Sequence, residues 1–66
     1  MVIGYSEKPL WDNIAKQLGE IQSEHDWAVH YKHTGEVEYV EDCMLNIIDC
    51  CKSIMEDLEY LKGEKV

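Results

Sequence analysis

The sequence predicts an all-α fold: one domain over residues 1–66, an antiparallel two-helix hairpin with helices at about 7–33 and 36–62, paired as a homodimeric four-helix bundle. Two observations give the hairpin and a third gives the pairing. Core-type residues recur in alternating steps of three and four at Trp11, Ile14, Leu18, Ile21, His25, Ala28 and Lys32. The rhythm resumes at Val37, Val40, Met44, Ile47, Cys51, Ile54, Leu58 and Leu61 after a Thr34-Gly35 break. Such heptad stripes specify amphipathic helices, and a short glycine-bearing break forces them antiparallel. The third observation is size: a chain of about 60 residues buries only about 60% of its unfolded surface, so small scaffolds need disulfides, a metal or oligomerisation.

Met1 to Tyr5 read as an extended lead-in, and Ser6 as the N-cap of helix one, with Pro9 tolerated in its first turn. Gly19 lies just off the stripe, at a cost of about 1 kcal/mol relative to alanine, where it would permit either close approach of a second chain or a gentle kink. Gly35 closes helix one, Glu36 opens helix two with an acid at its positive end, and Gly63 ends it. A turn centred near residue 36 layers Trp11 on Leu61, Leu18 on Ile54, Ile21 on Cys51, His25 on Ile47 and Ala28 on Met44. Apolar residues outside the stripes (Leu10, Val29, Cys43, Leu45, Ile48, Cys50 and Met55) make it wider than one neighbouring helix can cover. These seven are the expected dimer interface. In architecture alone the arrangement resembles the Rop family of plasmid copy-number regulators, a resemblance that carries no function and no residues.

Charge limits the function classes. Fourteen Asp and Glu oppose six Lys, with no Arg, for a formal net charge of −8. Nucleic acid is held through Lys and Arg that release counterions, so direct nucleic-acid binding is not expected. Glu36 to Leu61 carries eight acids against Lys52 alone, a surface that attracts a basic partner or simply solvates the helix. No apolar stretch approaches membrane-spanning length, and no leader is visible. Three cysteines, two of them adjacent, make a poor disulfide framework and fit reduced thiols in a cytoplasm.

No catalytic residue, metal site or cofactor is expected. His30 and His33 share a helical face with Asp26 nearby, but Cys43 and Cys50 lie a heptad apart, about 10 Å by helix rise, and His25 and Cys51 read as packed core. Glu20, Glu24, Glu38, Glu41 and Asp42 do not reproduce the E-E-x-x-E and E-x-x-D spacings of MazG-type pyrophosphatases, although a magnesium-dependent nucleotide-binding bundle is an alternative reading and an assembly adaptor another. The sharper signal is aromatic: Trp27 and Tyr31 share a face four residues apart, beside His30 and with Tyr39 across the turn. Trp27, His30, Tyr31, Tyr39, Glu38, Glu41, Asp42 and Asp49 are therefore the expected partner-binding residues, with dimer packing as the competing role of Trp27 and Tyr31. The expected function is that of a small non-enzymatic inhibitor or regulator that captures a basic protein. Nuclease inhibitors and anti-CRISPR proteins of phage and mobile elements, whose carboxylates stand in for phosphates, are the type it suggests.

Overall fold

The computed structural model describes the backbone of residues 3–63 and the side chains of residues 7–63. Two helices, α1 (Ile3–Thr34) and α2 (Val37–Gly63), pack against each other as a hairpin. It is a rod of 53 × 16 × 10 Å, with a radius of gyration of 15.4 Å against about 11 Å for a compact domain of this length.

The turn forms as its residues dictate. Gly35 takes φ +77°, a left-handed conformation that costs a side-chain-bearing residue about 1–2 kcal/mol. The Gly35 amide donates to the Lys32 carbonyl (3.3 Å) and the Glu36 amide to the Tyr31 carbonyl (3.0 Å), the paired bonds of a Schellman cap. The Glu36 carbonyl accepts from the amides of Tyr39 (3.2 Å) and Val40 (3.1 Å) and so starts α2. Lys32 and His33 in the last turn of α1 and Glu38 in the first turn of α2 complement the helix dipoles.

The start of α1 departs from expectation. The helix runs from Ile3 through Ser6, so Ser6 is not its cap and Ile3 to Tyr5 are not an extended lead-in; Met1 and Val2 lie outside the described residues. Pro9 is therefore the seventh helical residue and not in the first turn. Its ring removes the amide that the Tyr5 carbonyl would accept, so this end of α1 lacks one rung of its ladder.

The larger correction is rotational. Inward-facing residues of α1 are Leu10, Ile14, Gln17, Ile21, Glu24, Ala28 and Tyr31, and those of α2 are Val40, Cys43, Ile47, Cys50, Ile54, Asp57 and Leu61. Both runs keep the heptad steps and share Ile14, Ile21, Ala28, Val40, Ile47, Ile54 and Leu61 with the expected stripes. Trp11, Leu18, His25, Lys32, Val37, Met44 and Cys51, expected inside, are exposed, while Leu58 is half-buried. Each helix has turned toward one flank of its stripe. Two features of that flank favour the choice. Asn13 donates to Ser53 Oγ (3.2 Å) and Asp57 Oδ2 (2.6 Å) while accepting from Gln17 (3.3 Å), and Tyr31 meets Tyr39 across the turn. The cross-helix pairs Asn13–Ser53, Asn13–Asp57 and Tyr31–Tyr39 place the fold-back at residues 33–35, slightly before the expected centre at 36.

The resulting core is thin. Only Ile14, Ala28, Cys43, Cys50 and Leu61 are buried apolar residues among those described. The chain exposes 5258 Å², where a folded monomer of its mass exposes about 4,300 Å².

Candidate functional site

The seam divides the hairpin into two long faces of opposite character. One carries the Asn13 network, the aromatic residues near the turn and most of the carboxylates beside the seam; the other is apolar.

On the polar face the aromatic residues form one stack. Trp27 and Tyr31, one helical turn apart, lie with ring centroids 5.7 Å apart and planes at 22°. Tyr39 closes on Tyr31 at 5.0 Å and 48°. His30 sits edge-on to both Trp27 (5.9 Å) and Tyr31 (5.4 Å). Tyr31 is half-buried, whereas Trp27 keeps 54% and Tyr39 51% of its surface exposed. Such offset and edge contacts fix ring positions without burying the rings.

Beside this stack a cleft of about 240 Å³ is lined by Glu24, Trp27, Tyr31, Tyr39, Asp42, Cys43 and Asn46. A second cleft, of about 490 Å³, continues from it through the shared Glu24 and Asn46 and is lined by Gln17, Glu20, Asp49, Cys50 and Ser53. Together they make an open groove with an aromatic end and four carboxylates (Glu20, Glu24, Asp42 and Asp49), and no lysine lines either part.

Of the residues expected at a partner site, Trp27, Tyr31, Tyr39, Asp42 and Asp49 line this groove, and His30 braces the stack. Glu38 and Glu41 are exposed but line neither cleft. Glu20, Glu24 and Asn46 line it and were not among the expected residues. In the sequence Glu20 and Glu24 are an i, i+4 acidic pair, named with Glu38 and Glu41 as magnesium ligands only in the alternative nucleotide-binding reading, and nothing there singles out Asn46.

Cys43 and Cys50 form part of the groove floor, not a free apolar surface. Burial pushes the Cys43 thiol up from its ordinary pKa, and the hydrogen-bonding and charge of Glu24, then the charge of Asp42, add to the shift. Burial likewise raises Cys50, followed by the charges of Glu20, Cys51, Glu24 and Asp49. Both thiols are held protonated and are poor nucleophiles. All three cysteines are free, and Cys51 is exposed. Among the described residues no three His, Cys, Asp or Glu side chains converge to hold a metal ion.

The opposite face carries Trp11, Leu18 and Val29 from α1 and Val37, Met44, Ile48, Cys51 and Met55 from α2, all exposed. It ends near the turn in a cleft of about 360 Å³ lined by Ala28, Val29, Tyr31, Lys32, Gly35, Val37 and Val40. Of the expected dimer residues, Val29, Ile48 and Met55 lie here. Leu10, Cys43 and Cys50 belong to the seam within the hairpin, and Leu45 points away on the back of α2.

Among the described residues no helix is long and apolar enough to cross a membrane. No protein-family model matches the chain, and no curated protein or solved structure is detectably similar to it.

Proposed function

We propose that this chain is a non-enzymatic binding protein that works as a homodimeric four-helix bundle and captures a partner through a basic segment of that partner. The observation that carries the reading is the acidic groove with an aromatic end. A lysine or arginine side chain laid along it would meet carboxylates from both helices and, at its end, the exposed faces of Trp27 and Tyr39. Cation–π contact adds about 0.5–2 kcal/mol where water is excluded, and complementary charge speeds the encounter. Glu20 and Glu24 stand one helical turn apart on α1, about 6 Å by helix rise. Asp42 and Asp49 repeat the charge on α2, so the groove offers a row of negative groups to a surface built for phosphates. A partner of that kind is a nucleic-acid-handling protein, and this chain acts as its inhibitor or regulator. The protonated, buried thiols support a binding role over a nucleophilic one.

Calorimetric titration with a short Lys/Arg-rich peptide tests the proposal. Binding should weaken steeply from low to high salt and about tenfold in Trp27→Ala. Affinity unchanged by salt and by Trp27→Ala would refute it.

A further inference from the structure

The apolar face has no partner within the hairpin, and its composition points to a second copy of the chain. The run Met44, Ile48, Cys51 and Met55 along α2 carries no acidic residue, although the chain carries a net charge of −8. Trp11, Leu18, Met44, Ile48 and Met55 keep 40–55% of their surface exposed, and Val37 keeps 77%. These residues, with Val29, present at most roughly 700 Å² per chain, so two copies in full contact would bury up to about 1,400 Å², against the 1,200–2,000 Å² of stable specific interfaces.

We infer that two hairpins meet through this face antiparallel, about a two-fold axis near Leu18 and Cys51, leaving the two acidic grooves directed outward toward opposite ends of the bundle. The inference rests on the dimer proposed above and assigns its face, its symmetry and its valency. The apolar run of α2 (Met44, Ile48, Cys51, Met55 and the half-buried Leu58) is interrupted by no polar residue, whereas the matching run of α1 carries Gln22 and His25 at mid-length. The best mate for α2 is therefore its own copy, and a self-complementary patch closes as a two-fold pair. Antiparallel pairing brings the Glu41 end of one α2 to the Lys62 end of the other, and it separates the acidic starts of the two α2 helices. It also carries the indole of Trp11 toward the turn of the second copy, where the apolar 360 Å³ cleft beside Ala28 and Val29 is open. A dimer so built presents two grooves, and a partner with two basic segments gains avidity from engaging both.

Light scattering and thiol cross-linking test this. The wild-type chain should have dimer mass at tens of micromolar. Ile48→Glu should weaken dimerisation about a hundredfold or more by burying an unpaired carboxylate in each copy, while Leu45→Glu, on the back of the same helix, should leave the mass unchanged. A short bis-maleimide should join two wild-type chains through Cys51 and fail in Cys51→Ser. A monomeric wild type, an Ile48→Glu dimer, or a dimer that does not cross-link through Cys51 would overturn the inference. Mass reads this face and peptide affinity per chain reads the groove, so failure of one is distinguishable from failure of the other.

Discussion

Replacing Ile14 and Leu18 separately by alanine discriminates the observed seam from its overlapping alternative. Ile14 is 7% exposed and packed between the helices, whereas Leu18, four residues on, is 55% exposed. Ile14→Ala removes three carbons, about 2.4 kcal/mol at 0.8 kcal/mol each, and leaves a cavity that adds to the loss. A one-layer core can close partly around the gap, so about 2–3 kcal/mol is expected, at the lower end of such truncations. The whole hairpin, at 0.05–0.15 kcal/mol per residue, has about 3–10 kcal/mol to lose. Thermal unfolding followed by helical circular dichroism should therefore show Ile14→Ala melting about 10–20 °C lower at every protein concentration. Leu18→Ala should cost under about 1 kcal/mol in dilute protein, with a deficit that grows on concentrating, because its contacts are made by a second chain. A Leu18→Ala loss that equals that of Ile14→Ala and ignores concentration would refute the seam.

Three further outcomes follow from the same geometry. Gly35→Ala should lower stability by about 1–2 kcal/mol because φ is +77°, whereas Gly19→Ala should raise it by up to about 1 kcal/mol, since a Cβ there meets nothing within 4 Å; urea midpoints of the two variants check this. The folded chain holds the Cys43 and Cys50 protons more tightly than the unfolded chain does, so their stabilising contribution is complete below about pH 8.5 and is lost as pH rises through the raised folded values. Urea midpoints should fall over that range in wild type, and fall less in a Cys43→Ala/Cys50→Ala variant. In protein diluted until it is monomeric, timed alkylation should modify exposed Cys51 well before the other two thiols, and uniform rates for all three would contradict the buried seam.

Much of the hairpin is written locally. The heptad rhythm fixes two helices, and Gly35 fixes where they part, because only its left-handed conformation completes the cap. What hydropathy cannot fix is the rotation of each helix. Ile14, Ile21, Ala28, Val40, Ile47 and Ile54 belong to two overlapping stripes, and summed hydropathy chooses the one containing Trp11, Leu18 and Met44. The hairpin turns the other inward, where the Asn13–Asp57 bond and the Tyr31–Tyr39 contact act between helices. Such pairings appear only once the register is known. The same rotation explains the site: Trp27, Tyr31 and Tyr39 were legible from spacing across a turn, but Glu20, Glu24 and Asn46 join them only through the seam's placement. The start of α1 is not legible because Ser6 and Pro9 together resemble a cap and first turn, although the helix already includes Ile3.

The two faces can be read apart by the chain's own two tryptophans, one on each. In ¹⁵N-labelled protein the Trp27 indole N–H signal should shift on adding a Lys/Arg-rich peptide, while that of Trp11 stays in place. Dilution should move Trp11 as the bundle dissociates and leave Trp27 unmoved. Two indole signals that answer to the same perturbation, or a Trp27 signal indifferent to the peptide, would contradict a molecule that binds itself on one face and a basic partner on the other.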